Sequence, residues 1–172
     1  MEQVVLVDAS DRAVGSVEKL AAHRPPGVLH RALSVFLLDG DGQILLQQRA
    51  ADKHHFRGLW SNTTCTHPRP GEDLLAAGRR RLEEEMGITA ELSSAGSFVY
   101  RAADPATDLV EHELDHVLVG RYDGEPAPDP SEVQDWAWMA AADLRGDLAG
   151  APDRYTPWLA AALDLALRRG IQ

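Results

Sequence analysis

A chain of 172 residues with 44% hydrophobic content is long enough for one domain with a real core and short for two, so a single domain over 1–172 is expected. Its 27 acidic against 17 basic residues give a net charge of −10, which argues against a sequence-independent hold on nucleic acid or anionic membrane; an anionic small molecule stays open if bases cluster locally. The single cysteine, Cys65, cannot form an internal disulfide and is either a small buried hydrophobe or a working thiol.

In chain order, the start MEQVVLVDAS lacks a basic segment leading into a long apolar run, and no stretch approaches the roughly 18 apolar residues of a membrane span. A soluble, cytoplasmic protein is the expectation. VVLVD reads as a first strand. SVEKLAAH predicts a short helical turn that must stop by Arg24, because Pro25 and Pro26 cannot continue it, so His23 and His30 flank a break. ALSVFLLDGDGQILLQQR gives two strands joined across Asp39–Gly42, a good hairpin turn. SNTTCTHPRPGED then reads as a loop that carries Cys65 and His67 into a helix over 73–86, with Leu74, Leu75, Leu82 and Met86 as its apolar positions and Gly87 as its stop. Strands are expected at 95–101 and 110–121, followed by the polar, proline-rich loop DGEPAPDPSE, a strand at QDWAWM and a short helix over Ala141–Arg145. YTPW opens the last helix, with Thr156 as cap and Pro157 at the first helical position, and the helix runs to Gly170. There is no repeat, low-complexity tract or interdomain linker, and the sum is an α/β or α+β domain of mixed sheets with helices packed on them.

Strand alternation in LVEHELDHVLVG puts Glu111, Glu113, Asp115 and Val117 on one face and His112, Leu114 and His116 on the other. Neighbouring carboxylates facing solvent carry no message; facing a pocket they need a metal or a shared proton. Seven histidines, at 23, 30, 54, 55, 67, 112 and 116, supply the imidazoles of a common divalent-metal ligand set, and composition alone does not choose among them. On the helix over 73–86, Arg81 and Glu85 are four apart and so share a face, which a surface ion pair would also explain. Trp158, in the first turn of the last helix, reads more often as core than as an aromatic box for a cation.

Residues 66–88 follow the spacing of the Nudix signature, G-x5-E-x7-R-E-U-x-E-E-x-G-U with U aliphatic: Glu72, Arg80, Leu82, Glu84, Glu85, Gly87 and Ile88 fall in place. Thr66 stands where the first glycine belongs, and Arg81 replaces the glutamate of the Arg-Glu pair. In Nudix hydrolases that helix presents carboxylates to metals that activate water against a diphosphate, whereas a guanidinium there would hold the diphosphate. With SNTTCTHP before it, the segment resembles the type I isopentenyl-diphosphate isomerases, which carry asparagine-x-x-cysteine-x-histidine-proline at this place. Val17-Glu18-Lys19 followed by AAH, then His30, RAADKHHFRGLW, YRAADP, VEHE and PWL resemble segments of the same family in the same order, from about residue 3 to 165.

The resemblance implies a Nudix-like fold of mixed β-sheets sandwiched by helices, and an isomerase that shifts a double bond between isopentenyl and dimethylallyl diphosphate. It implies that His23, His30, His67, Glu111 and Glu113 ligate one divalent metal (Mn²⁺, Mg²⁺ or Zn²⁺). Cys65 and Glu113 would work on opposite sides of the substrate, with Tyr100 and Trp158 as the aromatic pocket. Glu85 would help bind a Mg²⁺ carried by the diphosphate, and Lys19, Arg49, Lys53 and Arg81 would contact its oxygens. His54, His55, His112 and His116 match no ligand position and keep a structural role. The expected partner is a small prenyl diphosphate, with no nucleic acid and no membrane, and the chain is expected to be a monomer, a dimer being the alternative. A Nudix hydrolase, a non-catalytic Nudix domain and an isomerase of another prenyl substrate are the rival readings. Arg81 and the Cys65 segment argue against the first, and the joint presence of Cys65 and Glu113 argues against the second.

Overall fold

The computed structural model describes residues 1–170, so the last two positions of the expected domain lie outside the described residues. In chain order the elements are β1 (Gln3–Val7), β2 (Ala13–Glu18), α1 (Lys19–His23), β3 (His30–Leu38), β4 (Gln43–Arg49), β5 (Trp60–Ser61), β6 (Thr64–Thr66), α2 (Leu74–Met86), β7 (Leu92–Ala103), β8 (Val110–Arg121), β9 (Val133–Ala140), α3 (Ala141–Gly150) and α4 (Leu159–Gly170). A 3-10 turn over Pro152–Arg154 separates the last two helices.

The apolar run ALSVFLL forms β3, whose neighbours organise the whole sheet. It runs parallel to β8, from His30 opposite Glu113 to Leu38 opposite Arg121, and antiparallel to β6. β7 pairs antiparallel with β8, β9 with β4, and β2 with β1, giving a mixed sheet of nine strands among the described residues. Side chains of β3 alternate between two cores. Leu33, Val35 and Leu37 pack with Ala77, Leu82 and Met86 of α2, while Phe36 and Leu38 pack with Leu159, Ala162, Leu163 and Ala166 of α4. A strand covered on both faces reads as continuously apolar, which is why its period is hidden in the sequence. Each fully buried aliphatic side chain of this size contributes about 1.5–3 kcal/mol.

The helix over 73–86 forms as expected: the Asp73 carboxylate caps it by accepting from the Ala76 N–H at 3.0 Å, and Gly87 ends it at φ 63, a left-handed conformation that costs other residues more. Other expectations are corrected. Ser16–Glu18 belong to β2, not to the short helix, and Glu18 instead caps α1 through the N–H groups of Leu20 and Ala21. Asp39–Gly42 does make the turn, with the Gly42 N–H on Asp39 O at 3.1 Å, but β3 and β4 share only the Leu38–Ile44 pair before β4 leaves to join β9. Cys65 lies on β6, not on a loop. α3 extends to Gly150, and α4 starts at Leu159, so Pro157 and Trp158 sit in the preceding turn and the Thr156 hydroxyl bonds Ser61 at 2.8 Å. No helix among the described residues is long and apolar enough to cross a membrane.

Candidate active site

Five potential metal ligands meet near the N-terminal ends of β3 and β8. His23 closes α1, His30 opens β3, His67 follows β6, and Glu111 and Glu113 share one face of β8. Gly27 turns the chain between the first two histidines at φ 81, with its α-carbon so close to Val110 that a β-carbon would meet the valine at 2.8 Å. One donor atom from each of the five lies within 4.8 Å of all the others, and all five side chains are buried. Glu113 Oε1 is 2.7 Å from His67 Nε2, 3.3 Å from His30 Nε2 and 3.8 Å from His23 Nε2; Glu111 Oε2 is 3.1 Å from His23 Nε2.

His23 and His30 donate from Nδ1 to the carbonyls of Lys19 and Val28, each at 2.7 Å, which turns their Nε2 atoms to the cluster. His67 Nδ1 is buried without a partner among the described residues. Two buried carboxylates beside imidazole nitrogens require positive charge, from protonated imidazole or from an ion, and imidazole with carboxylate is the donor set a divalent transition ion takes. The residues fit such an ion. Burial pushes the His23 imidazole down, but its bonds to Glu111 and Glu113 more than offset this and raise it to about 10. Burial dominates at His67 and lowers it to about 4. Burial likewise opposes the ionised form of Glu113, yet its contacts with Glu111 and the imidazoles hold it well below the usual carboxylate range.

Glu113 therefore has two distinct oxygens. Oε1 faces the histidines, while Oε2 accepts the Tyr100 hydroxyl at 2.7 Å, because Tyr100 is the direct cross-strand partner of Glu113 on β7. The Tyr100 ring lies 5.8 Å from that of Trp158, whose indole Nε1 donates to Asn62 Oδ1 at 3.1 Å; the same oxygen is 3.2 Å from Cys65 Sγ. Tyr100, Trp158 and Asn62 thus bridge the carboxylate and the thiol. Burial pushes the Cys65 thiol up to about 12, with the nearby Asp115 charge adding to it.

Cys65, Tyr100, Glu111, Glu113 and Trp158 line one cavity of about 650 Å³ together with Lys19, Lys53, Arg69, Arg80 and Arg81. A chain with a net charge of −10 thus gathers bases at one place, as an anionic ligand requires. The expected basic residues are not equivalent. Lys19 is paired with Glu2 at 3.1 Å, and Arg81 with Glu85 at 2.6 Å and Glu132 at 2.8 Å. Lys53 contacts Glu132 and Glu85. Arg49 is largely taken up by the backbone: its Nε and Nη2 donate to the carbonyls of Phe56 and His55, and its guanidinium lies 5.7 Å from the Trp158 ring centre. Glu85 is buried behind Lys53 and Arg81, where it also accepts from Gln47 and Thr64. It is no part of the five-residue cluster.

Two residues at the site are not among those that the resemblance implies. His55 matches no ligand position of the family, yet its Nε2 contacts Oε1 of Glu111 while His23 meets Oε2, the two rings lying side by side with centres 5.0 Å apart. The adjacent pair of histidines in DKHHF gave no sign of which one turns inward. Asn62 stood in the quoted asparagine-x-x-cysteine segment without a role. His112 is bonded to Gly27 O and His116 to Asp11, and His54 lies at the cavity wall.

A NUDIX domain is matched over residues 28–159, which defines the fold class. Solved structures agree: a Deinococcus radiodurans protein superposes with a TM-score of 0.78 at 22% identity over 99% of this chain and all of that one, and the MutT protein of Methanosarcina mazei with 0.67 at 16% over 84% and 96%. Sequence similarity is far higher to the isopentenyl-diphosphate Delta-isomerases of Nocardia farcinica, 55% identical over 95% of this chain and 93% of that one, and of Serratia proteamaculans, 49% over 91% and 87%. The chain belongs to the isopentenyl-diphosphate Delta-isomerase family, built on a NUDIX domain.

Proposed function

We propose that the protein interconverts isopentenyl and dimethylallyl diphosphate by adding a proton at one carbon and removing another two carbons away. Cys65 and Glu113 exchange these protons from opposite sides of the substrate. The observation that carries this reading is their placement on one cavity, joined by Tyr100, Trp158 and Asn62, with Lys19, Lys53 and Arg81 at its wall. An alkene is a very poor base, so the positive charge that develops on the tertiary carbon needs stabilisation where water is excluded. The Trp158 face contributes on the order of 2 kcal/mol, between one and two powers of ten in rate, and the Glu113 carboxylate and the cavity shape supply the rest.

His23, His30, His67, Glu111 and Glu113 would hold one divalent ion, of which Mn²⁺, Zn²⁺ and Mg²⁺ are the candidates. When bound, the ion supplies fixed positive charge that keeps Glu113 ionised and oriented. Glu113 Oε2, held by Tyr100, is the oxygen left to handle a proton. Lys53 and Arg81 bind the diphosphate by exchanging Glu132 for phosphate oxygens, and Glu85 behind them is the carboxylate to which a diphosphate-borne Mg²⁺ would turn.

Incubation with isopentenyl diphosphate and Mg²⁺ in heavy water, followed by NMR, should give dimethylallyl diphosphate carrying deuterium. Release of phosphate without isomer would identify a hydrolase instead. Elemental analysis should find about one divalent ion per chain before substrate is added, and His67→Ala should lose it. His55→Ala removes a contact to Glu111 but no ligand, so it should retain the ion with about 10–100-fold weaker hold in chelator competition. A full ion complement in His67→Ala would refute the assignment of the cluster.

A further inference from the structure

Asn62 lies in the tight connection between β5 and β6, and its side chain is fully enclosed. Its amide orientation follows from the chemistry of its neighbours. One end faces the carbonyls of Val35 at 3.2 Å and Thr64 at 2.8 Å, which only accept, so that end is Nδ2. The other faces the Trp158 indole Nε1 at 3.1 Å, which only donates, so that end is Oδ1. Cys65 Sγ at 3.2 Å and Ser61 Oγ at 2.9 Å point to the same oxygen. One carbonyl oxygen therefore receives the thiol, the indole and a hydroxyl. The two N–H bonds on the far side tie the amide to β3 and β6, so the oxygen has a fixed place relative to the sheet.

We propose that Asn62 is a positioning residue for the reaction, setting the Cys65 thiol and the Trp158 indole relative to each other through its single side-chain oxygen. This rests on the isomerase reading above, in which the thiol exchanges a proton at the carbon next to the cation that the indole face stabilises. Cys65 lies on β6, 3 residues from Asn62, whereas Trp158 lies in the turn before α4, 96 residues from it, so the two groups share no local element. The backbones of the two segments meet at the Thr156 N–H on Trp60 O at 2.9 Å, which leaves the side-chain torsions of Cys65 and Trp158 to set the distance between sulfur and ring. A shared acceptor fixes that distance, because moving either donor away breaks its bond to an oxygen that cannot follow. The Ser61 hydroxyl is the third donor to that oxygen, and it accepts in turn from the Thr156 hydroxyl at 2.8 Å, which ties the turn that carries Trp158 to the same spot. Asn62 has no place at the basic wall of the cavity and so no part in holding the diphosphate.

The test is steady-state isomerisation by wild type and Asn62→Ala, with tryptophan-¹⁵N NMR of the indole N–H groups in parallel. Among the four tryptophans, the Trp158 signal is assigned by its loss in Trp158→Phe. The expected result is a kcat about 100-fold lower, the scale of a misplaced reacting group, with KM for isopentenyl diphosphate changed by no more than about 3-fold. A purely structural asparagine would lower the folded fraction and leave kcat per folded molecule unchanged, and that outcome overturns the proposal. Should Asn62→Ala fail to fold, Ser61→Ala decides. It leaves Asn62 in place and removes one of the three donors, so the Trp158 N–H bond tightens and its resonance moves downfield; a signal that stays put overturns the shared-oxygen arrangement. Wild type in the same assay keeps the two ideas apart: no isomer from wild type sinks the function, while a normal wild type beside a fully active, folded Asn62→Ala sinks only the role of Asn62.

Discussion

Replacing Cys65 with alanine, or Glu113 with glutamine, is expected to remove isomerisation, each lowering kcat by about 10³-fold or more. The two changes act on different steps. Without the thiol, one side of the substrate loses its proton carrier; without the carboxylate, the other does, and general acid–base groups of this kind contribute about 10²–10⁴-fold each. Glu113→Gln also takes charge from the cluster, since Oε1 lies within 3.3 Å of both His30 and His67, so the metal content of the same sample must be measured beside the rate. Cys65→Ala carries no such complication, as Cys65 Sγ bonds Asn62 and lies 3.8 Å from Ser34 Oγ and 4.0 Å from Ser61 Oγ. Substrate binding should survive in Cys65→Ala, because the bases at the cavity wall are untouched. Retention of most activity in both variants would sink a mechanism that uses two faces.

What could be read from the sequence was mostly what local chemistry dictates. The helix over 73–86 was legible from its cap, its apolar spacing and its glycine stop, and β8 from its length and alternation. The carboxylates of Glu111 and Glu113 could be placed on one face by period alone, but whether that face met solvent depended on β3 lying parallel beside it, which no local signal records. β5 and β6 have two and three residues, too few to show a period, and they exist because β3 and β4 offer edges there. The start of α1 was misplaced because Glu18 serves both as the end of a strand and as a cap. The cluster of five came from resemblance to a family, not from spacing, and the structure brings those residues together from α1, β3, the end of β6 and β8. His55 and Asn62 touch partners distant in sequence, Glu111 and Trp158, so their positions gave no local sign of what they touch.

Arg81→Glu is expected to weaken diphosphate binding by several kcal/mol, about 10²-fold or more in Kd, without creating a hydrolase. Arg81 is not the isolated surface partner of Glu85 that its spacing also allowed. Its side chain is 19% exposed and lies among Glu84, Glu85 and Glu132, while Lys53 meets the latter two from the other side. Two cations thus share three carboxylates at the cavity wall, and an arriving diphosphate must compete with Glu132 for both. Substituting glutamate removes one cation and adds a fourth carboxylate, so Lys53 loses its partner in this group and an arriving anion meets repelling charge there. The same change restores the Arg-Glu pair of the hydrolase signature at 80 and 81. Efficient hydrolysis should still not appear, because Arg80 remains engaged with Glu72 at 2.7 and 2.9 Å and with Glu84, and Thr66 and Cys65 are fixed on β6 where a water-activating site would need room. Calorimetry with inorganic pyrophosphate and Mg²⁺, with phosphate release followed in parallel and the melting temperature checked for both proteins, tests each half. Unchanged affinity in a folded variant would leave Arg81 with no task beyond its three carboxylates, and hydrolysis of the diphosphate by wild type would overturn the isomerase reading itself.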